Sequence, residues 1–466
     1  MKKLILFELN EVPQKIIDYY CQRRPNSWLA VHYPQFKKFN SFSENTHHLN
    51  PWNTWPTLHR GVDSSRHQIL DLNQDLSEQN RCFPAIWDLL DQNNIKVGVM
   101  GSLHSYPLPK TLNQQAFYVP DVFSLSEECF PGHINTFQSL NLSLSRESAR
   151  NVSKSVPKRK LIELAIKSPM LGFRAKTIAK ISSQLLVERR ESWKATRRRT
   201  HQANLSFDIF YKLLSDKKPD FTTFYTNHVA ATQHRYWAAT FPDSYEKNFY
   251  DHQWIDTYEG EILFALDATD EMFKRLDKFI RKHNDYQLVI ASSMGQDAVK
   301  AKPIHTQLYI DNANQFFQHF GINNIKSLPA MLPQFNYRLS DENLNRFLQT
   351  AKNVTINGKA LRYRIHGKGI ISIEMGHINQ DDIQFKINEK QIESELSGLK
   401  NIKIKDQSST TADHIPEGIL YSYHPSYVSS HLSLSVVPTR EIFSSILRNY
   451  NVFVPDYAPK GSPFIL

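Results

Sequence analysis

The feature that most constrains the fold is an alternation of buried strands and amphipathic helices along most of the chain. Short apolar runs such as KKLILFEL (residues 2–9) and YQLVIASSMG (286–295) predict strands that are covered on both faces. Longer segments such as YEGEILFALDATDEMFKRLDKFIRKHN (258–284) place apolar residues at helical spacing. This alternation predicts an α/β fold with a doubly wound, mostly parallel central sheet and helices on both faces.

Two segments interrupt the alternation. Residues 131–204 are rich in Lys and Arg and are interpreted as a basic helical insertion. Residues 336–404 contain short alternating runs and an Asn357-Gly358 hairpin signal, which predict a small β-rich insertion that acts as a cap. The α/β core is therefore expected to comprise residues 1–130, 205–335 and 405–466.

Positive charge is concentrated in one part of the chain. The net charge is +10, yet residues 154–199 alone contain 14 Lys or Arg against three Glu. This stretch is either a solvated helical face or a surface that holds an anionic substrate or lipid head groups. The expected partners are an anionic small molecule or glycan and a membrane surface. No specific nucleic acid is expected, because no recognised binding module accompanies the charge.

The cysteines and the N-terminus restrict the class of protein. Three scattered cysteines without a CxxC pair argue against a disulfide scaffold and a zinc ribbon. The start MKKLILFELNEVP lacks the apolar core of a signal peptide, and no run of about 18 apolar residues follows. We therefore expect a cytoplasmic protein, with peripheral contact with the inner membrane as the open alternative.

Thr54 lies where a catalytic hydroxyl could be placed. In HLNPWNTWPTLHRGV it precedes Pro56, which suits the first turn of a helix, so Thr54 is predicted to cap that helix. Free N–H groups at the same position would stabilise an alkoxide and bind a phosphate. The local pattern favours the structural cap and leaves the nucleophile open.

Several motifs follow one another in a definite order. They are TWP (54–56), RGV with SRHQI (60–69), TNHVAATQHRYW (226–237), LVIASSMG (288–295) and HIPEGIL (414–420). Together they resemble the alkaline phosphatase-like superfamily, in particular its type I phosphodiesterase and nucleotide pyrophosphatase branch. The resemblance implies Thr54 as nucleophile and two metal ions, usually zinc, that orient the ester.

The resemblance also implies metal ligands, several of which are missing here. The aspartate of the first strand falls on Asn10, with Glu11 where a glycine is usual. The D-x-x-x-H aspartate falls on Ala230. The S-D-H-G motif becomes the sequence of residues 292–295, SSMG, and so loses both of its ligands. A neutral amide, a hydroxyl and a thioether are poor ligands for a hard divalent ion, so the two-metal site is expected to be largely lost.

Two histidines of the implied site are retained, His234 and His414. A site without metal and a site with one zinc or other divalent ion are both open. The candidate ligands for such an ion are His234, His414 and Glu8. With fewer metal ions, histidines would supply charge or take the proton from Thr54. The predicted catalytic residues are Thr54, His234, His414 and His228. The predicted substrate-binding residues are Asn10, Arg235, His104 and His305.

Two functions from different classes remain open. The first is a hydrolase or transferase that acts on a phosphate or related ester through Thr54, in nucleotide-sugar or surface-polysaccharide metabolism. The second is a non-catalytic protein that binds an anion or a glycan on a lapsed phosphatase fold. The loss of ligands favours the second, whereas the retention of Thr54, His234 and His414 favours the first.

Overall fold

A computed structural model describes residues 2–44, 49–110, 114–147, 163–164, 166, 169–367, 369–428 and 435–461. The strands are β1 (Lys3–Leu9), β2 (Lys37–Phe42), β3 (Val97–Met100), β4 (Gln115–Val119), β5 (Phe221–Thr226), β6 (Tyr286–Ala291), β7 (Gly295–Ala298), β8 (Thr306–Ile310), β9 (Lys326–Leu328), β10 (Gln334–Arg338), β11 (Val354–Ile356), β12 (Lys359–Ala360), β13 (Arg362–His366), β14 (Ile370–Glu374), β15 (Phe385–Ile387), β16 (Lys390–Ile392), β17 (Leu399–Lys403), β18 (Ala412–Ile415), β19 (Glu417–Tyr423) and β20 (Ser435–Pro438). The helices are α1 (Gln14–Arg23), α2 (Trp28–His32), α3 (Pro51–Arg60), α4 (Ser64–His67), α5 (Ser77–Cys82), α6 (Ile86–Gln92), α7 (Asn135–Glu147), α8 (Ala175–Val187), α9 (Arg198–Lys217), α10 (His228–Thr240), α11 (His252–Tyr258), α12 (Glu261–Lys282), α13 (Ala313–Gln318), α14 (Asp341–Ala351) and α15 (Thr439–Asn449).

An eight-stranded sheet forms the centre of the molecule, in the order β20-β2-β19-β6-β1-β5-β3-β4. Strand β1 pairs in parallel with both β5 and β6. Strand β19 is antiparallel to its neighbours β2 and β6, and the other pairs of this sheet are parallel. The predicted α/β fold with a mostly parallel central sheet is therefore confirmed.

The apolar run of β1 explains why this strand lies at the centre of the sheet. Ile5 and Phe7 belong to one buried cluster, which also contains apolar residues of α10 and α12. Leu4 and Leu6 belong to a second cluster with Trp55 of α3 and apolar residues of α15. Because neighbouring side chains on a strand point to opposite faces, a continuous apolar run requires cover on both sides.

The carboxyl ends of β1, β5 and β6 meet at one edge of the sheet. The N–H of Asn10, just after β1, donates to the carbonyl of Thr226 at the end of β5, at 3.1 Å. The hydroxyl of Ser292, just after β6, donates to the carbonyl of Leu9. Ligands bind at this edge in parallel sheets, so the residues that follow these strands are placed where a site is expected.

The start of α3 differs from the prediction. The helix cap is Asn50, whose side chain accepts from the N–H of Asn53, and Pro51 occupies the first turn. Thr54 lies inside the helix, and so does Pro56. The prediction of Thr54 as the cap was therefore wrong. Asn50 is a favourable cap residue, and Pro51 suits the first position of the helix, because proline has no N–H that would lack a partner there.

Two small antiparallel sheets follow the core strands β7 and β8. Their strand orders are β13-β14-β10-β9 and β12-β11-β15-β16. The hairpin at Asn357-Gly358 is confirmed, since Ile356 of β11 pairs with Lys359 of β12 and both turn residues have positive φ. The predicted domain boundaries stay predictions.

The basic segment is described only in part. Residues 148–162, 165 and 167–168 lie outside the described residues. The described remainder forms α7, α8 and the start of α9. Within the described ranges, no helix is long and apolar enough to cross a bilayer.

Candidate functional site

Glu11 is the carboxylate that the sequence analysis left without a role. It lies two residues after the end of β1 and is almost fully buried. Its backbone is in the left-handed region, with φ 56°. A non-glycine residue in this conformation is uncommon, and such conformations cluster at functional sites.

Two histidines meet at the Glu11 carboxylate. Oε2 of Glu11 lies 2.9 Å from Nε2 of His234, on α10, and 3.3 Å from Nε2 of His414, on β18. The candidate ligand atoms of the three residues all lie within 4.8 Å of one another. We call this group the carboxylate–histidine cluster. The structure thus brings together two of the predicted catalytic residues and adds a carboxylate that the prediction lacked.

Backbone carbonyls hold both imidazole rings. Nδ1 of His234 lies 2.7 Å from the carbonyl oxygen of Ala412, and Nδ1 of His414 lies 2.8 Å from that of Leu49. A carbonyl only accepts, so each Nδ1 carries a proton and each Nε2 faces Glu11. Histidines that bind metals are oriented in the same way.

Amide side chains fix the carboxylate itself. Asn10 donates to Oε1 of Glu11 at 2.7 Å, and Gln296 donates to Oε2. Asn10 also contacts the side-chain oxygen of Asn227 at 2.8 Å and accepts from the Trp55 indole at 2.7 Å. Asn10, predicted to bind substrate, is thus engaged in positioning Glu11.

The charges of the cluster depend on one another. Burial alone would raise the pKa of Glu11, but His414 and His234 hold it well below the usual value. Burial lowers the pKa of His414, but the Glu11 carboxylate raises it to about 9. The metal-free cluster therefore contains an ionised carboxylate and a protonated His414 at neutral pH.

Thr54 forms a second group with Ser293. The two hydroxyl oxygens lie 2.7 Å apart, and both residues are fully buried. The Thr54 hydroxyl also donates to the carbonyl of Asn50 at 3.1 Å, so Ser293 is the donor within the pair. We call these two residues the hydroxyl pair. It contains no charged group, and Ser293 stands at the position where the resemblance implies an aspartate.

One short loop segment joins the two groups. The carbonyl of Leu49 accepts from His414, and the carbonyl of the next residue, Asn50, accepts from Thr54. The hydroxyl pair and the carboxylate–histidine cluster therefore adjoin through consecutive backbone carbonyls.

His228, predicted to be catalytic, is directed elsewhere. Its Nδ1 lies 2.7 Å from the Thr226 hydroxyl, and its Nε2 lies 3.1 Å from both the Ala265 carbonyl and the Thr269 hydroxyl of α12. Burial lowers its pKa to about 4. The prediction of a catalytic His228 is therefore corrected: its ring nitrogens bind the Thr226 hydroxyl at the end of β5 and two groups of α12.

Arg235 and Glu8 also lie outside the cluster. Arg235 follows His234 directly, so the helical turn directs it to another side, where its Nε lies 3.7 Å from Asp406. Glu8 is fully buried, with Oε1 2.8 Å from Nε2 of His59. Its partner is thus on α3, and the suggested help from Glu8 at the retained histidines is corrected in favour of Glu11.

The remaining two predicted substrate ligands are also separate from the cluster. Nε2 of His104 lies 3.0 Å from the Trp52 carbonyl at the start of α3, and burial together with Arg60 lowers the pKa of His104 to about 3. His305 is exposed just before β8, and its backbone N–H donates to Asn379. His104 thus borders the helix that carries Thr54, whereas His305 lies on the surface.

One signal in the sequence could have identified Glu11. It is a charged residue directly after a buried strand, in a chain whose expected carboxylate at Ala230 is missing. The amide of Gln296 contacts both Glu11 and the Ala230 carbonyl, the latter at 3.3 Å. The Glu11 carboxylate therefore lies close to the helical turn where the aspartate is implied.

Comparisons with known proteins agree with the motif order. The profile described as type I phosphodiesterase / nucleotide pyrophosphatase matches residues 26–432. No curated protein matches the chain. Among solved structures, murine ectonucleotide pyrophosphatase / phosphodiesterase 5 is 9% identical, with 98% of this chain and 98% of that chain covered and a TM-score of 0.39.

Two bacterial structures are similar to the same degree. Phosphonoacetate hydrolase from Sinorhizobium meliloti 1021, in complex with phosphonoformate, is 12% identical over 95% of this chain and 94% of that chain, with a TM-score of 0.41. Alkaline phosphatase from the Antarctic bacterium TAB5 is 10% identical over 97% of this chain and 100% of that chain, with a TM-score of 0.37.

Proposed function

The chain belongs to the type I phosphodiesterase / nucleotide pyrophosphatase family, and from this premise we propose that it cleaves or transfers a phosphate or related ester at the carboxylate–histidine cluster, with one divalent metal ion. The family makes it a phosphoesterase-like enzyme. One observation carries the proposal. A buried carboxylate lies between two imidazoles whose Nδ1 protons are both held by carbonyls, which leaves both Nε2 atoms facing it.

The cluster fits a single metal ion. A carboxylate oxygen and two imidazole nitrogens are typical zinc ligands, and a site with three protein ligands leaves a position open for substrate. Bonds of about 2.0–2.2 Å in a tetrahedral site separate the ligand atoms by about 3.3–3.5 Å. The observed separations of 2.9 and 3.3 Å are close to that range. A bound divalent ion would supply Lewis-acid stabilisation to an anionic ester.

The hydroxyl pair does not fit the second metal ion that the resemblance implies. Its two groups are the hydroxyls of Thr54 and Ser293, and the other residues that the resemblance implies at this ion are Asn10, whose amide is bound to Glu11, and Met294, a thioether. None is charged, and a divalent ion at a buried site needs anionic ligands to offset the loss of hydration. The proposal therefore contains one metal ion.

Thr54 is the proposed nucleophile. It lies one turn into α3, where the positive end of the helix favours negative charge, and Ser293 donates a hydrogen bond to its oxygen. The Thr54 proton points to the Asn50 carbonyl, which is not a base, so the reaction requires this hydrogen bond to break. The Thr54 oxygen would then form a bond to phosphorus as the bond from phosphorus to the leaving oxygen breaks, with the Thr54 proton passing to water and the leaving group departing as an alcohol or a phosphate. In a second step, water or an alcohol would displace Thr54 and take the phosphoryl group. A nucleotide-sugar or surface-polysaccharide substrate is part of the proposal.

One observation favours the rival function, in which the site binds an anion without catalysis. Thr54 and Ser293 are fully buried and bound to each other. A nucleophile must reach its substrate, so catalysis requires the hydroxyl pair to become accessible when substrate binds.

Metal content and turnover together test the proposal. The protein is loaded with zinc and dialysed, metal is measured by mass spectrometry, and hydrolysis of bis(4-nitrophenyl) phosphate is followed. We expect one zinc per chain, lost with activity in Glu11→Gln and His234→Gln and retained in the exposed control His305→Gln. Thr54→Val is expected to keep the metal and lose turnover.

Each departure from these results has a distinct meaning. Two zinc ions per chain, or zinc retained in Glu11→Gln, would contradict the single-metal site. Turnover that is retained in Thr54→Val would contradict the assignment of Thr54 as the nucleophile. An absence of turnover in the zinc-loaded wild type, together with binding of inorganic phosphate that Glu11→Gln abolishes, would favour the binding role.

A further inference from the structure

Helix α8 is oriented with its polar residues toward the protein. Its buried residues are Thr177 and Gln184. The Gln184 amide donates to Glu188 at 2.8 Å and to the Lys194 carbonyl at 2.7 Å. Ile181 and Val187 are half-buried on the same side, so α8 buries only part of its apolar surface, whereas a helix on a globular protein normally buries its whole apolar stripe.

The apolar residues of α8 form a stripe on its outer side. Ile178, Leu185 and Leu186 are 42%, 41% and 61% exposed. With the small residues between them they follow helical spacing, and we call the set the outer stripe: Ala175, Ile178, Ala179, Ser182, Leu185 and Leu186. A continuous exposed apolar surface of this kind marks an interaction site.

A polar cleft explains why α8 is not turned the other way. A cleft of about 910 Å³ separates α8 from the end of α1 and from α12. Its lining includes the charged or polar residues Arg24, Lys176, Lys180, His201, Asp267 and Glu271. The inner face of α8 therefore borders polar groups, and no apolar core is available there to bury the outer stripe.

Basic residues flank the outer stripe. Arg189 and Arg190, just past the end of α8, are exposed, and neither has a carboxylate within ion-pairing distance in the described part of the chain. Residues 169–199 contain nine Lys or Arg against two Glu. Two copies of this surface would bring like charges together, whereas an anionic lipid surface attracts each cation.

We propose that α8 docks on an anionic lipid bilayer. The outer stripe enters the head-group region, and Arg189 and Arg190 contact lipid phosphates. This mode combines apolar burial with electrostatic attraction and keeps the helix in the plane of the interface. It is independent of the proposed reaction, since the residues of the carboxylate–histidine cluster take no part in it.

Sedimentation of the full chain with vesicles tests this docking. The vesicles are pure phosphatidylcholine or phosphatidylcholine mixed with phosphatidylglycerol. We expect binding only to the anionic vesicles, weakened about tenfold or more by Leu185→Ser/Leu186→Ser. Arg189→Gln/Arg190→Gln should weaken it severalfold and reduce its dependence on salt. The control is Phe453→Ser, which removes a side chain that is 76% exposed outside this surface.

Several results would overturn the proposal. They are equal binding to both vesicle types, no binding to either, and unchanged binding of the stripe variant. Self-association without lipid that depends on Leu185 and Leu186 would instead assign the stripe to a second copy of the chain. Thermal melting checks that each variant is folded, and Leu186→Ser alone replaces the double variant if that one is not.

Discussion

The carboxylate–histidine cluster and the hydroxyl pair adjoin at one edge of the same sheet, yet they differ in charge. The first holds an ionised carboxylate between two imidazoles, and the second holds two hydroxyls that satisfy each other. The resemblance implies a metal ion at each. The two groups thus satisfy their buried polar atoms in different ways, the first by pairing opposite charges and the second by a hydrogen bond between neutral hydroxyls.

The charged region has also changed the origin of its carboxylate. The resemblance implies an aspartate at Ala230 on α10, but here the carboxylate comes from Glu11 after β1. Gln296 contacts both Glu11 and the Ala230 carbonyl, so the two positions are close in space. The Glu11 carboxylate therefore lies near the position that the resemblance implies, although a different element carries it.

The largest expected effect comes from a substitution that introduces a charge into the hydroxyl pair. Ser293→Asp places a carboxylate at a fully buried position, where the hydrogen-bond partner of Ser293 is the neutral Thr54 hydroxyl. The free energy of unfolding should fall by about 3–4 kcal/mol, because the buried charge is uncompensated. Urea unfolding measures this loss, and the neutral variant Ser293→Asn is the control. Equal stability of the two variants would show that the region already tolerates charge.

A second change tests the transfer of the carboxylate from α10 to the end of β1. Glu11→Gly should lower zinc affinity by more than about 100-fold, because one ligand is removed and the relaxed turn no longer positions another. Adding Ala230→Asp to this variant should recover affinity to within about tenfold of the wild type. Competition with a chromophoric chelator measures the zinc affinity of both variants. Equal zinc affinities of the single and double variants would contradict the idea that Glu11 takes the place of a carboxylate at residue 230.

The pH dependence of stability tests the buried, neutral His228. Burial lowers the pKa of His228 to about 4, so the ring is neutral in the folded protein. The contribution of the neutral His228 ring to the free energy of unfolding is fully present above pH 6.5. It is lost as the pH falls toward 4, because the unfolded state binds the proton more readily than the folded state does. We expect a loss of up to about 3 kcal/mol over this range, measured by urea unfolding. His228→Gln should reduce the slope, and an unchanged slope would assign the acid sensitivity to other groups.

The smallest expected effect concerns the hydroxyl pair alone. Thr54→Val keeps the shape of the side chain but leaves the Ser293 hydroxyl without its acceptor. The free energy of unfolding should fall by about 1 kcal/mol, with the zinc content unchanged. Urea unfolding measures the stability, and mass spectrometry measures the zinc content. Thr54→Ser, which keeps the hydroxyl, is the control in both assays. Loss of zinc in Thr54→Val would mean that the two regions are not separate.

Local patterns were enough to predict the class of fold and the edge of the sheet where the site lies. Period-two and helical spacing are properties of neighbouring residues, so they predicted β1, β6 and α12 correctly. His234 follows the parallel strand β5 and lies where a site is expected in such sheets, whereas His414 was implied by the resemblance alone. These two imidazoles do meet, as the order of motifs implied.

The partners of each side chain were decided only by the tertiary structure. The sequence determined that charged and polar residues follow the central strands, but not that Glu11 would join His234 and His414 or that Thr54 would bind Ser293. Those contacts join residues hundreds of positions apart, and they depend on how the elements pack against one another. The outward apolar stripe of α8 has the same origin: helical spacing predicts a stripe, whereas the surrounding structure decides which way it faces.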